Sequence, residues 1–566
     1  MDLISKVFSI SIEVLELVGG LGLFLFGMHI MSEGIHKRAG RNLKRIMGAL
    51  TTNRFMGMFT GLFTTSIIQS SSATTVLLVS LVNAGLVTLE QSIGVIMGAN
   101  IGTTLTAWIV SFFGFKFKIT MLALPAIAIA IPLFYHRKEK VREVGEILIG
   151  FGILFLGLSI MKESVPDLQQ DRYEGVLAFV TRISNLGYLS VLIFIMLGTL
   201  LTIIVQSSSA AMAITMTMAF KGWIDFELAA AIVLGENIGT TITAYLASLG
   251  MNVNAKRTAR AHMFFNIFGV LWMLAVFPWF IDLIDFLMPG DASEPANMPF
   301  HLSLFHTMFN IINSALMIGF VRHFADLVRK LVNPPVRVRR DDDDYTLPFV
   351  SGNLPEAAES NLISSHAEIA KMSELVHDML LSLMNIIPED AKDLPKIADE
   401  ISDKEELTDQ MQQRIVAFLT ECTIEALSEN QARRIYASQR ITNELESIAD
   451  SCENMAHLMR KRAKRELQFH QSGVEELIDY TSIVLDFLRY NADYLERQVD
   501  HYDIDRAIEM EKAINKQRNR LKKVVRKQLA KGADVRAELL FVDMVKNLEH
   551  IGDYSMNISQ AMREIE

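Results

Sequence analysis

Gln69-Ser70-Ser71-Ser72-Ala73-Thr74-Thr75 interrupts an apolar stretch, and Gln206-Ser207-Ser208-Ser209-Ala210-Ala211-Met212 interrupts a second one. Gly98-Ala99-Asn100-Ile101-Gly102-Thr103-Thr104 likewise returns as Gly235-Glu236-Asn237-Ile238-Gly239-Thr240-Thr241. The two offsets agree, since 206 − 69 and 235 − 98 are both 137. Gly61 with Gly198, Thr65 with Thr202, Glu90 with Glu227 and Thr106 with Thr243 keep the same register. A gapless set of this kind marks a duplicated unit. A looser match precedes it, Gly22 to Met31 against Gly152 to Met161.

The apolar runs on either side of Gln69-Ser70-Ser71-Ser72 are each too short to cross a bilayer core of about 30 Å comfortably. Four polar side chains between them predict a broken or re-entrant helix. Such backbone survives at membrane depth only where protein buries it or a watery cavity meets it. Paired breaks in two repeats point to a transporter binding site. Half-helix N-termini offer N–H groups and positive dipole ends to an anion. Serine hydroxyls add donors for phosphate oxygens, and serine, threonine and backbone oxygens suit a hard cation such as Na⁺. The candidate site is therefore Gln69, Ser70, Ser71, Ser72 and Thr74 with Gln206, Ser207, Ser208 and Ser209. Asn100, Thr103, Thr104, Asn237, Thr240 and Thr241 join them from the second motif, whose glycines permit close approach of backbone. Close helix packing by small residues is the alternative, and the recurrence of both motifs weighs against it.

Glu236 breaks the symmetry, because Ala99 is its counterpart. A carboxylate inside the membrane is costly and marks function, so Glu236 is expected to meet Na⁺ or a proton. Glu90 and Glu227 fit helix N-termini, with Thr88 and Asp225 as caps. His262 with Asn266 and His306 with Asn310 share helix faces at i, i+4; they either line the cavity or, the favoured reading, are satisfied by hydrogen bonds between helices.

Charge sets the topology. The first helix, Val14 to Met31, is read as retained and not as a signal peptide, and a basic loop follows it with Lys37, Arg38, Arg41, Lys44 and Arg45. The equivalent loop of the second repeat, residues 163–174, is mostly acidic, carrying Glu163, Asp167, Asp171 and Glu174. Basic loops stay cytoplasmic, so the repeats are expected to be inverted. Arg137 to Arg142 joins them inside, the acidic stretch 282–299 faces outside, and Lys116 and Lys118 oppose the pattern. The membrane part is residues 1–332, with repeats near 14–135 and 146–281 and a final helix near 302–320.

Residues 333–360 form a linker with Pro334-Pro335 and the run Asp341 to Asp344. Residues 361–566 lack long apolar runs, keep helical periodicity, and repeat internally: Glu446, Asp450 and Asn454 match Glu549, Asp553 and Asn557. Glu405 and Asp409 have looser partners in Glu511 and Asn515. Six long helices in two three-helix bundles are expected. Carboxylates at i, i+4 and i+8 follow one helix face, and either gather a divalent or ferric metal or form a solvated acidic face. Glu405, Asp409, Glu446, Asp450, Glu511, Glu549 and Asp553 are the candidate ligands.

The fold class is thus all-α: a polytopic membrane domain of two inverted repeats with broken helices, then a soluble helical domain. The chain of 566 residues has a formal net charge of −10, which argues against a nucleic-acid partner. Its two cysteines, Cys422 and Cys452, have no disulfide or metal spacing and fit a reducing compartment. No nucleophile elbow accompanies Ser70 or Ser207 and no P-loop is present, so neither an enzyme nor an ATP-driven pump is expected.

The doubled motif, QSSSATT and GANIGTT with QSSSAAM and GENIGTT, closely resembles the type II sodium–phosphate cotransporters across the membrane part. The resemblance implies sodium-coupled transport of inorganic phosphate, with substrate and ions between the two QSSS regions, in a cytoplasmic (inner) membrane. Ala211 and Met212 stand where Thr74 and Thr75 do, which weakens ligand roles in the second repeat. Residues 360–566 resemble PhoU, a helical phosphate-regulation protein whose Glu-x3-Asp-x3-Asn helices bind metal clusters, and this implies a cytoplasmic regulatory tail. Phosphate export and phosphate sensing are the rival readings.

Overall fold

The computed structural model describes residues 2–49, 53–117, 120–165, 174–332, 357–387, 394–422, 429–470, 472–497 and 502–565. Most of the acidic loop of the second repeat, Lys118 and the linker up to residue 356 lie outside the described residues. The described residues are helical, with no strand among them, and divide into two compact units, the first comprising those up to Val332 and the second those from Ala357 onward.

In the first unit, α1 (Asp2–Ala49), α2 (Arg54–Ile68), α3 (Ser71–Asn83), α4 (Leu89–Ser111) and α5 (Thr120–Phe134) make the first repeat. The second comprises α6 (Glu139–Ser164), α7 (Glu174–Ser184), α8 (Tyr188–Val205), α9 (Ser208–Phe220), α10 (Phe226–Gly239), α11 (Thr241–Ala247) and α12 (Val253–Leu287). Among the described residues, five helices are long and apolar enough to cross a membrane, or six if α13 (Met298–Ile318) and α14 (Val321–Leu331) count as one bent span. α13 covers nearly all of the stretch read as the final helix, and the chain then turns by 85° into α14, whose Val321, Phe324 and Val328 are buried while Arg322 and Lys330 face out. The basic stretch read as a loop is not one: α1 continues through it to Ala49. Lysine, arginine, leucine and methionine are good helix formers, and one glycine, Gly40, does not outweigh them.

Glycines set the closest crossings. A Cβ on Gly98 would sit 1.8 Å from the Met58 carbonyl oxygen, and one on Gly235 2.0 Å from that of Ile195. Gly61 and Gly198 face back on Val95 and Ile232 just as tightly, at 2.0 and 2.1 Å. So α2 meets α4, and α8 meets α10, backbone to backbone, and each first-motif break is held against the second motif of its own repeat.

The two repeats end in different places. Asn83, closing α3, accepts from the Asn252 N–H (2.9 Å) and from its Nδ2 (2.7 Å) at the start of α12. Glu90 pairs with Arg329 at the same end, where Arg54 donates to the Gly319 carbonyl (3.3 Å). The equivalent turn between α9 and α10 lies at the other end of α12: Phe226 packs on His301, whose Nε2 is 3.3 Å from Asp285. α12 has 35 residues, so about 52 Å separates its ends. The first end carries Lys256, Arg257, Arg260 and Arg322; the second carries Asp225, Glu227, Asp282 and Asp291. Lys162, which donates to the Gly114 carbonyl and lies over the Phe220 ring, is an exception at the acidic end.

In the second unit, α15 (Ala357–Ile386), α16 (Leu394–Glu421) and α17 (Glu429–Lys464) form one bundle. α18 (Gly473–Arg497), α19 (Ile504–Ala530) and α20 (Val535–Ile565) form the other. The bundles share one core, because α17 packs along α20 and α15 along α18; Cys452, Phe487, Phe541 and Leu548 are all buried in it.

Candidate functional site

Both breaks are built from the same two residues. Gln69 ends α2 with φ 59°, and Gln206 ends α8 with φ 53°; each N–H closes the helix on a threonine carbonyl, Thr65 (2.7 Å) or Thr202 (2.8 Å). A left-handed residue other than glycine is uncommon and costs of order 1 kcal/mol, and here it recurs at equivalent positions. The next residue starts the following helix. Ser70 Oγ accepts from the Ala73 N–H (3.0 Å), and Ser207 Oγ from the Ala210 N–H (3.3 Å). Each break therefore sets a helix C-terminus beside a capped N-terminus, leaving first-turn N–H groups free of helical acceptors.

The surrounding hydroxyls fall into two kinds. Thr103, Thr104, Thr240 and Thr241 donate to carbonyls of their own helices, those of Ala99, Ile101, Glu236 and Ile238, at 2.7–3.0 Å. With the proton spent, each presents only lone pairs, which suit a cation. Ser71, Ser72, Ser208 and Ser209 make no side-chain hydrogen bond among the described residues, so their hydroxyls stay free to donate. Asn100 and Asn237 each donate Nδ2 to the carbonyl four residues back, Ile96 and Val233, both at 2.9 Å.

The repeats differ at four points. Gln69 is buried, its Oε1 accepting from Thr106 Oγ1 (3.0 Å), whereas Gln206 is exposed. Thr65 donates to Thr74 Oγ1 (3.0 Å), but Ala211 offers nothing to Thr202, whose buried hydroxyl has no partner. Glu236 is 2 % exposed and forms no ion pair among the described residues; it accepts from Thr215 Oγ1 at 2.6 Å. Finally, the Asn237 Oδ1 lies 3.4 Å from His306 Nε2 and 3.5 Å from Asn310 Nδ2.

That contact bonds His306 and Asn310 between helices as expected, but other polar atoms of the His–Asn pairs are not satisfied. His262, Asn266, His306 and Asn310 are all buried, yet both ring nitrogens of His262, Nδ1 of His306 and the amide oxygens of Asn266 and Asn310 have no partner. Buried polar groups are nearly always paired. The side chains of His306 and Asn310, on α13, lie beside Asn237, so α13 borders the candidate site. The i, i+4 spacing was the available signal, but it cannot tell a paired side chain from an orphan.

In the second unit the first bundle gathers carboxylates and the second does not. Burial, the charge of Glu453 and a proton shared with Asp450 push the Glu405 carboxyl up to about 7; Asp409 adds to this. Burial and Asp450 raise Glu446 as well. In the second bundle Glu549 pairs with Arg518 and with Lys522 (3.3 Å). Asn515 stands where Asp409 does, and Gln412 and Val416 are the counterparts of the two cations. Of the expected ligand set Glu511, Glu549 and Asp553, Glu549 is thus already held by two basic side chains. Among the described residues, no three His, Cys, Asp or Glu side chains form a group able to hold a metal ion.

Glu405 has a measurable consequence. Its folded-state affinity for a proton exceeds that of a free glutamate, so its stabilisation is complete below pH ~4.5 and is lost as pH rises through about 7. Solvent screening of this part-exposed group reduces the effect to about 1–2 kcal/mol. The melting temperature of a 357–566 fragment, followed by circular dichroism, is expected to fall roughly 3–6 °C more than that of Glu405→Gln between pH 5 and 8. Parallel curves for the two would refute the assignment.

Residues 23–163 and 165–279 match the Na+/Pi-cotransporter family, and residues 369–459 and 477–562 each match the PhoU domain. The chain is 25% identical over 468 residues to "Putative inorganic phosphate export protein YjbB" of Escherichia coli (strain K12), covering 82% of each. It is 28% identical over 309 residues to "Uncharacterized protein YqeW" of Bacillus subtilis (strain 168), which is 55% of this chain and 95% of that protein. Over 93 residues, 16% of each chain, it is 43% identical to "Sodium-dependent phosphate transport protein 2C" of Mus musculus. No solved structure matches the chain.

Proposed function

The chain joins a membrane domain of the Na+/Pi-cotransporter family to a PhoU domain, and from that premise we propose that it carries inorganic phosphate across the cytoplasmic membrane coupled to Na⁺. The observation that carries this reading is the division of hydroxyls at the paired breaks. Free serine donors at capped helix N-termini, Ser71, Ser72, Ser208 and Ser209, take the phosphate oxygens. Threonine and asparagine oxygens, with Glu236, take sodium. Gln69 and Gln206 form the breaks themselves, ending α2 and α8.

The opposite placement of equivalent turns on α12 supports an inverted pair, with the arginine-rich end cytoplasmic. Cysteines replacing Leu86 and Lys221 are expected to react with an impermeant reagent from opposite sides of the membrane. The native cysteines do not interfere, both being buried in the second unit. Labelling of both from one side would overturn the inverted arrangement.

Export is the second reading, favoured by the name of the relative that covers 82% of the chain. The same site serves either direction, and the imposed gradients decide it. Radiolabelled phosphate flux in proteoliposomes, with Na⁺ on one side, both or neither, tests the function. Flux that follows the sodium gradient supports coupling; saturable flux indifferent to Na⁺ would leave phosphate transport without symport.

The PhoU domain regulates and takes no part in carrying phosphate. Its first bundle keeps the carboxylates Glu405, Asp409, Glu446 and Asp450 without counterparts of Arg518 and Lys522, but among the described residues they do not form a group able to hold a metal ion, so no metal is assigned to the domain.

A further inference from the structure

A cavity of about 480 Å³ lies beside the first turns of α12, walled by Tyr245 and Leu249 on one side and by Phe264, Leu331 and Val332 on the other. Lys256 and Arg260, one turn apart, both line it. Among the described residues neither forms an ion pair or a hydrogen bond; the Arg260 guanidinium lies 4.1 Å from the centre of the Tyr245 ring. The intervening Arg257, by contrast, is used, donating to the Val332 carbonyl (3.1 Å) and to Asn254 Oδ1 (3.2 Å). Among the described residues, therefore, two cations without counter-charges face one concave space and no carboxylate lines it.

Below the cations the same face of α12 turns apolar. Phe264, Phe268 and Leu271 follow Arg260 at helical spacing, and Phe268 and Leu271 are 45% and 61% exposed. Charge at the rim and apolar surface beneath is the order of groups in an anionic phospholipid. The volume also exceeds what a lone phosphate needs.

We propose that this cavity binds a phosphate group at the membrane surface, that of an anionic phospholipid: the headgroup on Lys256 and Arg260, an acyl chain along Phe264, Phe268 and Leu271. Placing it at the cytoplasmic leaflet rests on the topology proposed above. Inorganic phosphate offers the same charged oxygens, and the experiment separates the two sources.

The full chain, extracted in mild detergent, is analysed by native mass spectrometry with and without 10-fold excesses (about, over protein) of phosphatidylglycerol or inorganic phosphate. Wild type is expected to retain one phosphatidylglycerol that inorganic phosphate does not displace. Lys256→Gln with Arg260→Gln is expected to weaken retention about thirtyfold, and Lys256→Gln alone about fivefold, by the loss of one charge contact each. An unchanged melting profile shows that the variants fold. Binding of inorganic phosphate in place of lipid, lost in the same variants, keeps the site and reassigns its source. Retention of neither, or retention indifferent to both substitutions, overturns the proposal. Lipid retention is read without any flux measurement, so its failure is distinct from failure of the transport reading, and cysteine labelling at residue 256 separately reports the leaflet.

Discussion

Replacing Gln69 by alanine is expected to lower phosphate flux about ten- to a hundredfold, since hydrogen bonds to charged groups contribute about 1.5–3 kcal/mol. The residue is doubly held, donating to the Ser66 carbonyl (2.5 Å) and accepting from Thr106. Alanine leaves the Thr106 hydroxyl unpaired and removes the side chain from the break. Gln69→Gly isolates the cause. Glycine takes φ 59° without strain, which relieves about 1 kcal/mol of backbone cost while removing the same side chain. Both variants should therefore lose flux alike although the glycine variant folds at least as well. Normal saturable flux in correctly inserted Gln69→Ala and Gln206→Ala proteins would return the motif to helix packing. Loss in the alanine variant alone would assign the effect to backbone.

Glu236→Gln is expected to raise the sodium concentration needed for half-maximal flux by about ten- to a hundredfold, the effect of one charged contact. Glutamine keeps an oxygen for the Thr215 hydroxyl, which donates to the carboxylate at 2.6 Å, so the fold around it is retained. What disappears is the ionisable carboxyl, on a buried side chain with no cation paired to it among the described residues. Flux at saturating sodium should recover, which separates ion binding from structural damage. A sodium dependence identical to wild type would exclude Glu236 from the ion site.

Much of this arrangement was legible in the sequence because it is local. A helix break needs a residue that ends one helix and one that starts the next, and Gln69-Ser70 and Gln206-Ser207 supply both within two positions. Thr88 and Asp225 cap α4 and α10 as their spacing implied, the former with a full capping box through Gln91. Features that depend on side chains meeting across helices were hidden. Thr202 looks the same as Thr65 until the position facing it proves to be Ala211 and not Thr74. His262 and Asn266 read as an ordinary polar pair, and only the packing of α12 leaves them without partners. In the tail, the i, i+4 pattern of Glu549 and Asp553 repeats that of Glu446 and Asp450 faithfully. What differs is the reach of Arg518 and Lys522 from the neighbouring helix.

The glycine crossings limit how the membrane domain is able to move. Where a Cβ would already stand 2 Å or less from a carbonyl, as at Gly98 and Gly235, there is no compressible layer of side chains between the helices. Sliding or rocking α2 on α4, or α8 on α10, would drive backbone into backbone. Each pair is consequently one stiff piece, carrying its break and its Asn-Ile-Gly-Thr-Thr segment together. Any exchange of access between the two sides of the membrane then falls to the seams where side chains interleave, such as those of α9 and α10 with α13. The two repeats are also locked to each other, because α1 and α6 meet at Gly27, Gly150 and Gly157, where a Cβ would stand 2.2–2.3 Å from the facing backbone. The machine's joints therefore lie against α13, and its levers are the glycine-fused pairs.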